Sequence, residues 1–234
     1  MMTMTDLWNN LLNLFFPNLC LICKRPLVGK ERHLCLHCLC RLPRTRYHQR
    51  KQNPMEQRYF GNVLITHATS FLLFEKENST QRLIHFLKYH DNKELAYHLG
   101  QIAAHELQDD NHPLCQVDGL IPVPLHPKKQ KIRGYNQSEW IAKGIQSVWG
   151  CPVYPHALKK TTFTESQTLK SGFERWENTR NVYETDQTDH LTGKHLLIID
   201  DVITTGATIG ACAAALSAVP DIRISLFSLA AVTK

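Results

Sequence analysis

The stretch from Leu196 to Thr208 most constrains how this chain can fold. Four apolar residues, Leu196 to Ile199, run into two adjacent carboxylates, Asp200 and Asp201. A turn rich in Thr and Gly follows, and then the small-residue run Ile209 to Val219. This order reads as a buried strand, a loop at the strand's carboxyl end and a helix start. The loop brings backbone N–H groups and the hydroxyls of Thr204, Thr205 and Thr208 to one point, where a helix dipole favours an anion. Gly206, followed by Ala207, lets the backbone approach that anion closely. Two carboxylates beside a phosphate cradle suit a ribose diol, directly or through a divalent metal.

Five of the eight cysteines fall between Cys20 and Cys40. Cys20-x2-Cys23 and Cys35-x2-Cys38 are separated by eleven residues. Each pair can close a knuckle around one metal, and Pro26 and Gly29 let the loop between bring the pairs together. Four thiolates in tetrahedral array bind zinc and leave no open position, so the site is structural. Cys40, His33 and His37 lie close enough to be alternative fourth ligands. A module this small needs the metal for its folding energy. Thiolate ligands and free thiols fit a reducing cytoplasm. No secretory signal is visible: the N-terminus lacks a basic n-region, and the apolar run Leu11 to Phe16 is short and ended by Pro17. No segment is long enough to span a bilayer, so membrane insertion is not expected.

The net charge of +6 is unevenly placed. Nine Lys/Arg face a single acid, Glu31, between Lys24 and Lys51. A concentrated basic stretch suggests phosphate-bearing partners. Within it, Arg41 to Gln57 is polar and carries Pro43 and Pro54, and so reads as a linker. It is either a solvated tether or a nucleic-acid contact, with Tyr47 and His48 as stacking partners. This divides the chain into residues 1–57 (N-terminal helix, ribbon and basic linker) and 58–234 (main domain).

Elsewhere, Asp6 to Phe16 reads as a short amphipathic helix packed on its own domain. Val63 to Phe74 suggests one or two strands. Ser79 or Thr80 can cap a helix carrying Leu83, Ile84 and Leu87, closed by Lys88-Tyr89. Lys88 either serves the helix dipole or reaches a ligand phosphate. Lys93 to Gln108 forms a second helix. Asp118 to Pro124 is a buried strand, followed by a basic loop, Leu125 to Arg133, and a helix from Asn136 to Trp149. This repeats the strand–loop–helix logic of the opening stretch, with cations where the other carries carboxylates. Cys151 to His156 reads as a third short strand. Leu158 to Asn181 is polar and too long for a quiet connector, so it reads as a lid with reach from Gln167, Lys170, Arg175 and Asn178. Ile222 to Val232 is a final apolar strand.

The motif at Asp200 to Thr208 resembles the phosphoribosyl-diphosphate (PRPP) binding motif of type I phosphoribosyltransferases. The whole chain is similar to the competence protein F (ComF) family. Seven blocks in one order carry that resemblance. They are Phe15-Phe16-Pro17-x2-Cys20-x2-Cys23, the second Cys pair, Leu87-Lys88-Tyr89, Ile121-Pro122-Val123-Pro124-Leu125, Arg133-Gly134-Tyr135-Asn136-Gln137-Ser138, Gln167 with Arg175-x2-Asn178, and Asp200-Asp201 through Thr208. The resemblance implies an α/β domain with a mainly parallel sheet flanked by helices, joined to a small N-terminal zinc ribbon. It implies that Thr204 to Thr208 hold a 5-phosphate and that Asp200 and Asp201 face the ribose hydroxyls and a magnesium ion. Lys88, Lys128, Lys129 and Arg133 are then pyrophosphate candidates, and residues 158–181 the lid.

Two readings follow. In the first, the chain binds PRPP or a ribose-5-phosphate compound and supports DNA uptake in natural transformation. It would handle single-stranded DNA, alongside a competence helicase or processing protein, with two alternatives open at its site: magnesium-dependent phosphoribosyl transfer, or binding of a phosphoribosyl group without turnover. In the second, it is a phosphoribosyltransferase of nucleotide salvage, and the ribbon is a structural cap.

Overall fold

The apolar runs become strands of a sheet whose faces are both covered. The computed structural model describes residues 17–59, 61, 65–89, 92–161 and 182–232. The expected helix Asp6 to Phe16 and the lid residues Gln167, Lys170, Arg175 and Asn178 lie outside the described residues. From the N-terminus come α1 (Leu36–Cys40), α2 (Pro54–Gln57), β1 (Ile65–Leu73), α3 (Ser79–Tyr89) and α4 (Lys93–Asp109). Then follow β2 (Gly119–Pro122), α5 (Pro127–Arg133), α6 (Gln137–Trp149), β3 (Leu158–Lys160) and β4 (Tyr183–Thr185). The chain continues with β5 (His195–Ile203), α7 (Ala207–Leu216) and β6 (Arg223–Ala231).

Four strands form a fully parallel sheet in the order β1-β6-β5-β2. The alternation along β5 divides the core. Leu197 and Ile199 join the cluster under α3, α4 and α6, while Leu196, Ile198 and Ile203 join the cluster under α7. A parallel sheet sealed this way needs near-continuous apolar strands, which is why β5 and β6 are legible in the sequence. β3 and β4 stand apart as an antiparallel ribbon at the foot of the expected lid.

Four expectations change. Cys151 to His156 is not a strand: it makes a single parallel bridge, Val153 to Leu120. The basic loop Leu125 to Arg133 is largely the helix α5. His126 caps it by accepting from Lys128 N at 3.2 Å, Pro127 fills its first position, and Gly134 ends it in the left-handed region. Asn78, not Ser79 or Thr80, caps α3, accepting from Gln81 N at 3.0 Å.

The fourth concerns the expected linker, Arg41 to Gln57, which is built into the fold. Leu73 N donates to Pro43 O at 2.8 Å and Thr45 N to Phe71 O at 3.0 Å, so this segment lies along β1. Leu42, Tyr47 and Met55 are buried in the two core clusters. Burying side chains of that size contributes about 1.5–3 kcal/mol each, more than a solvated tether could forgo.

α4 and α6 cross at a pair of glycines. A Cβ on Gly144 would lie 2.1 Å from Tyr97 O, and one on Gly100 2.4 Å from Ile141 O. Alanine normally stabilises a helix interior by about 1 kcal/mol over glycine. Here Gly144→Ala should instead destabilise by about 1–3 kcal/mol, because the helices must separate. A fall in the urea midpoint, rather than a rise, is the expected readout.

Candidate functional site

β5 extends through both acids, so Asp200 and Asp201 belong to the strand rather than to the loop after it. Each residue is only 9% exposed. Asp200 Oδ1 accepts from Asp201 N at 2.8 Å and from Ser138 Oγ of α6 at 3.3 Å. Burial, followed by the neighbouring Asp201 carboxylate, pushes the Asp200 carboxyl above the usual range. Asp201 Oδ2 is buried and receives no hydrogen bond among the described residues. The Lys88 ammonium stands 3.4 Å away, within ion-pair range without forming a hydrogen bond. A buried acceptor in that state is ready for a cation or a hydroxyl.

The block from Arg133 to Ser138 places these groups. Tyr135 Oη donates to Leu87 O at 2.6 Å and Gln137 Nε2 donates to the same oxygen at 3.2 Å, which fixes the backbone next to Lys88. Asn136 caps α6 through Ser138 N and donates to Val123 O at the exit of β2. Ser138 then reaches Asp200. Arg133 donates to Gln137 Oε1 at 3.0 Å. One short block thus ties α3, β2 and β5 together.

Thr204 to Thr208 form the turn between β5 and α7. Thr204 and Thr208 are exposed, Thr205 and Ala207 half-buried, and Gly206 is buried at φ 85°. Arg58 Nη1 donates to Thr204 O at 2.8 Å, and Tyr59 Oη to Gly206 O at 3.3 Å. A Cβ on Gly206 would meet that Tyr59 oxygen at 2.5 Å. Sequence reasoning missed Arg58 and Tyr59. A signal was present: Asn53-Pro54-x-Glu56 is a capping box with proline at N1, and it forms α2 just before them.

Lys160 was also missed. It ends β3 with its ammonium 5.3 Å from the Tyr183 ring centre. Burial, then Lys129, lowers its pKa, while Asp200 acts in the opposite sense. Of the expected pyrophosphate cations, Lys88 reaches the acids, Lys129 lies within the field of Lys160, Arg133 is turned to Gln137, and Lys128 is exposed on α5.

The four paired cysteines converge. The sulfurs of Cys20, Cys23, Cys35 and Cys38 all lie within 4.8 Å of one another, an arrangement that can hold one zinc ion. Cys35 N donates to Cys20 Sγ and Cys38 N to Cys35 Sγ, both at 3.4 Å. The N–H of Cys38 leads in lowering the Cys35 pKa to about 6, whereas burial leads in raising that of Cys38. Among the described residues Cys40, His33 and His37 are not part of the cluster. Cys40 is exposed, and the His33 ring faces His98, with centroids 6.1 Å apart.

The expected stacking partners in the basic segment are not available. Tyr47 is 5% exposed, and the His48 side chain, 4% exposed, is tied to Asp110 at 2.6 Å. No helix among the described residues is long and apolar enough to cross a membrane.

No family model matches the chain. It is similar to a DNA utilization protein, YhgH, of Shigella flexneri, at 27% identity over 207 residues, or 82% of this chain and 88% of that protein. It is also similar to Competence protein F of Haemophilus influenzae, at 29% identity over 99 residues, or 42% and 43% of the two chains. The resemblance to the ComF family therefore stands on relatives of that name and of DNA utilization. Among solved structures, an allosteric regulatory enzyme of purine biosynthesis aligns with a TM-score of 0.37 and 16% identity, over 56% of this chain and 26% of the other. An adenine phosphoribosyltransferase aligns with a TM-score of 0.36 and 14% identity, over 65% and 69%.

Two outcomes are expected. Stripping metal with a strong chelator should lower the melting temperature and release one metal ion per chain, counted by elemental analysis. Gly206→Ala should lower the melting temperature, and Tyr59→Phe in the same chain should recover part of the loss, since the nearest clashing atom is the phenol oxygen. Thermal unfolding of both variants measures this.

Proposed function

We propose that this chain is a phosphoribosyltransferase-like protein of DNA uptake that binds PRPP or a related ribose 5-phosphate. The observation that carries the reading is the buried acid pair, with the orphaned Asp201 Oδ2 and Lys88 beside it, next to a turn that opens a helix. In this reading Thr204 to Thr208 hold the 5-phosphate through backbone N–H groups and hydroxyls. Asp200 and Asp201 take the ribose hydroxyls. Lys88, Lys128, Lys129 and Arg133 face pyrophosphate, and Lys160 adds a cation near the acids. The hard, acceptor-only carboxylates suit magnesium, which would neutralise diphosphate charge when brought in with the ligand. Zinc at Cys20, Cys23, Cys35 and Cys38 holds the ribbon. The division into residues 1–57 and 58–234 is then one of role, with phosphoribosyl binding in the second part and one wall of the nucleic-acid path in the first. The names of the relatives, DNA utilization protein and Competence protein F, support a DNA-handling role; in this reading the partner is single-stranded DNA.

Turnover would follow from the same residues. Cations that stabilise departing pyrophosphate supply charge stabilisation, and the acids position the sugar, without a protein nucleophile.

Titration of PRPP with magnesium should show binding in the parent protein. The Asp200→Asn/Asp201→Asn double variant should lose about 30-fold or more, the usual scale for truncating buried charge partners. Equal affinity in both would overturn the reading. Pyrophosphate release over a panel of acceptors, compared with the same double variant, separates turnover from binding alone.

A further inference from the structure

A groove of about 270 Å³ lies where the ribbon meets the crossed helices α4 and α6. Arg32 and His33 of the ribbon, Tyr97, His98 and Gln101 of α4, and Trp140 of α6 line it. Two lysines sit over the Trp140 ring: Lys143 at 4.7 Å from its centre and Lys93 at 5.5 Å. Lys93 occupies the first position of α4, where the helix dipole disfavours a cation. Its placement serves the aromatic surface rather than the helix. Lys143 is shared with Glu139 at 2.7 Å, and Glu94 also borders the groove. The His33 and His98 rings, with centroids 6.1 Å apart, line the groove beside Tyr97.

The space is smaller than the roughly 300–1,000 Å³ of pockets that enclose a whole small ligand. It suits one flat ring with the rest of its molecule outside. Aromatic faces interleaved with cations are the chemistry by which proteins hold single strands, with bases on rings and phosphates on ammonium groups. The other groove of the ribbon side fits worse. It carries Arg44 and Arg46 of the basic segment but is lined by Glu106, Asp109 and Asp110 and by no Phe, Tyr or Trp. There Arg44 is already paired with Glu106 at 2.9 Å.

We propose that single-stranded DNA runs over the groove between the ribbon and the α4–α6 pair, stacking a base against Tyr97 and Trp140 while Arg32, Lys93 and Lys143 take its phosphates. The proposal rests on the DNA-handling reading above and names the surface that performs it. The ribbon then does more than close the fold, because it supplies one wall of the strand's path.

The test is fluorescence anisotropy of a labelled oligothymidylate titrated with the full, metal-loaded chain at several salt concentrations. Tyr97→Ala and Trp140→Leu should each weaken binding by about fivefold or more, the lower end for losing one stacked base. Arg32→Ala and Lys93→Ala, at exposed positions that leave folding intact, should each reduce the salt dependence by about one phosphate's share. Arg46→Ala/Arg50→Ala should change affinity less than Lys93→Ala alone. Ultraviolet cross-linking of an iodouracil-substituted strand should label the peptides bearing Tyr97 or Trp140. If the parent chain binds and all four groove variants bind equally well, the groove assignment falls while the DNA-handling reading survives. If the parent chain does not bind single-stranded DNA at all, both fall.

Discussion

Two carboxylates sit side by side at the end of a strand sealed on both faces, where neither can be hydrated cheaply. That constraint organises the surrounding structure. Asp200 is stabilised by the Asp201 N–H and the Ser138 hydroxyl, and its carboxyl is still driven above its ordinary range. Asp201 keeps one buried oxygen without a hydrogen bond, facing Lys88. An arrangement this costly persists only when the rest of the fold holds it, and here the holding elements can be named. The β5 register with β2 and β6 fixes the strand, and the Arg133–Ser138 block fixes Ser138 and the backbone beside Lys88.

Legibility follows the kind of signal each element carries. β6, α4 and α6 show long apolar periods, and the sequence places them within a residue or two of their observed ends; the apolar run locates β5 but not its extension through the acids to Ile203. The cysteine spacing locates the metal cluster to the residue. α5 reads as a loop because it has no buried residue and hence no period; its only signals are Pro127 and Gly134 at its two ends. The segment Arg41 to Gln57 reads as a tether because its structure comes from docking along β1, which polar composition does not announce. Of the candidate site, the acids, the Thr-rich turn and Lys88 are visible in the sequence. Arg58, Tyr59 and Lys160 act from neighbouring elements, and only the tertiary fold brings them near.

The ribbon and the main sheet share one core. Cys20, Cys35 and Cys38 belong to the same apolar cluster as Leu83, Leu87, Leu99 and Ile141. The cluster that can hold a metal thus sits against α3 and α4 rather than on a separate lobe. The helices that carry Lys88 and Trp140 thus pack in the same core as these cysteines.

The contact of Arg58 and Tyr59 with the turn after β5 has a further consequence. The proposed phosphate site rests on that turn, and loose carbonyl oxygens would repel an anion there. Here the turn carbonyls of Thr204 and Gly206, and that of Val232 after β6, accept from side chains that come before the sheet in sequence. Two of the turn's carbonyl oxygens are thereby held by one short segment. A cut at residue 61 would leave every strand of the sheet in place and still remove the groups that orient this turn. The turn and the side chains that brace it are thus encoded at opposite ends of the chain.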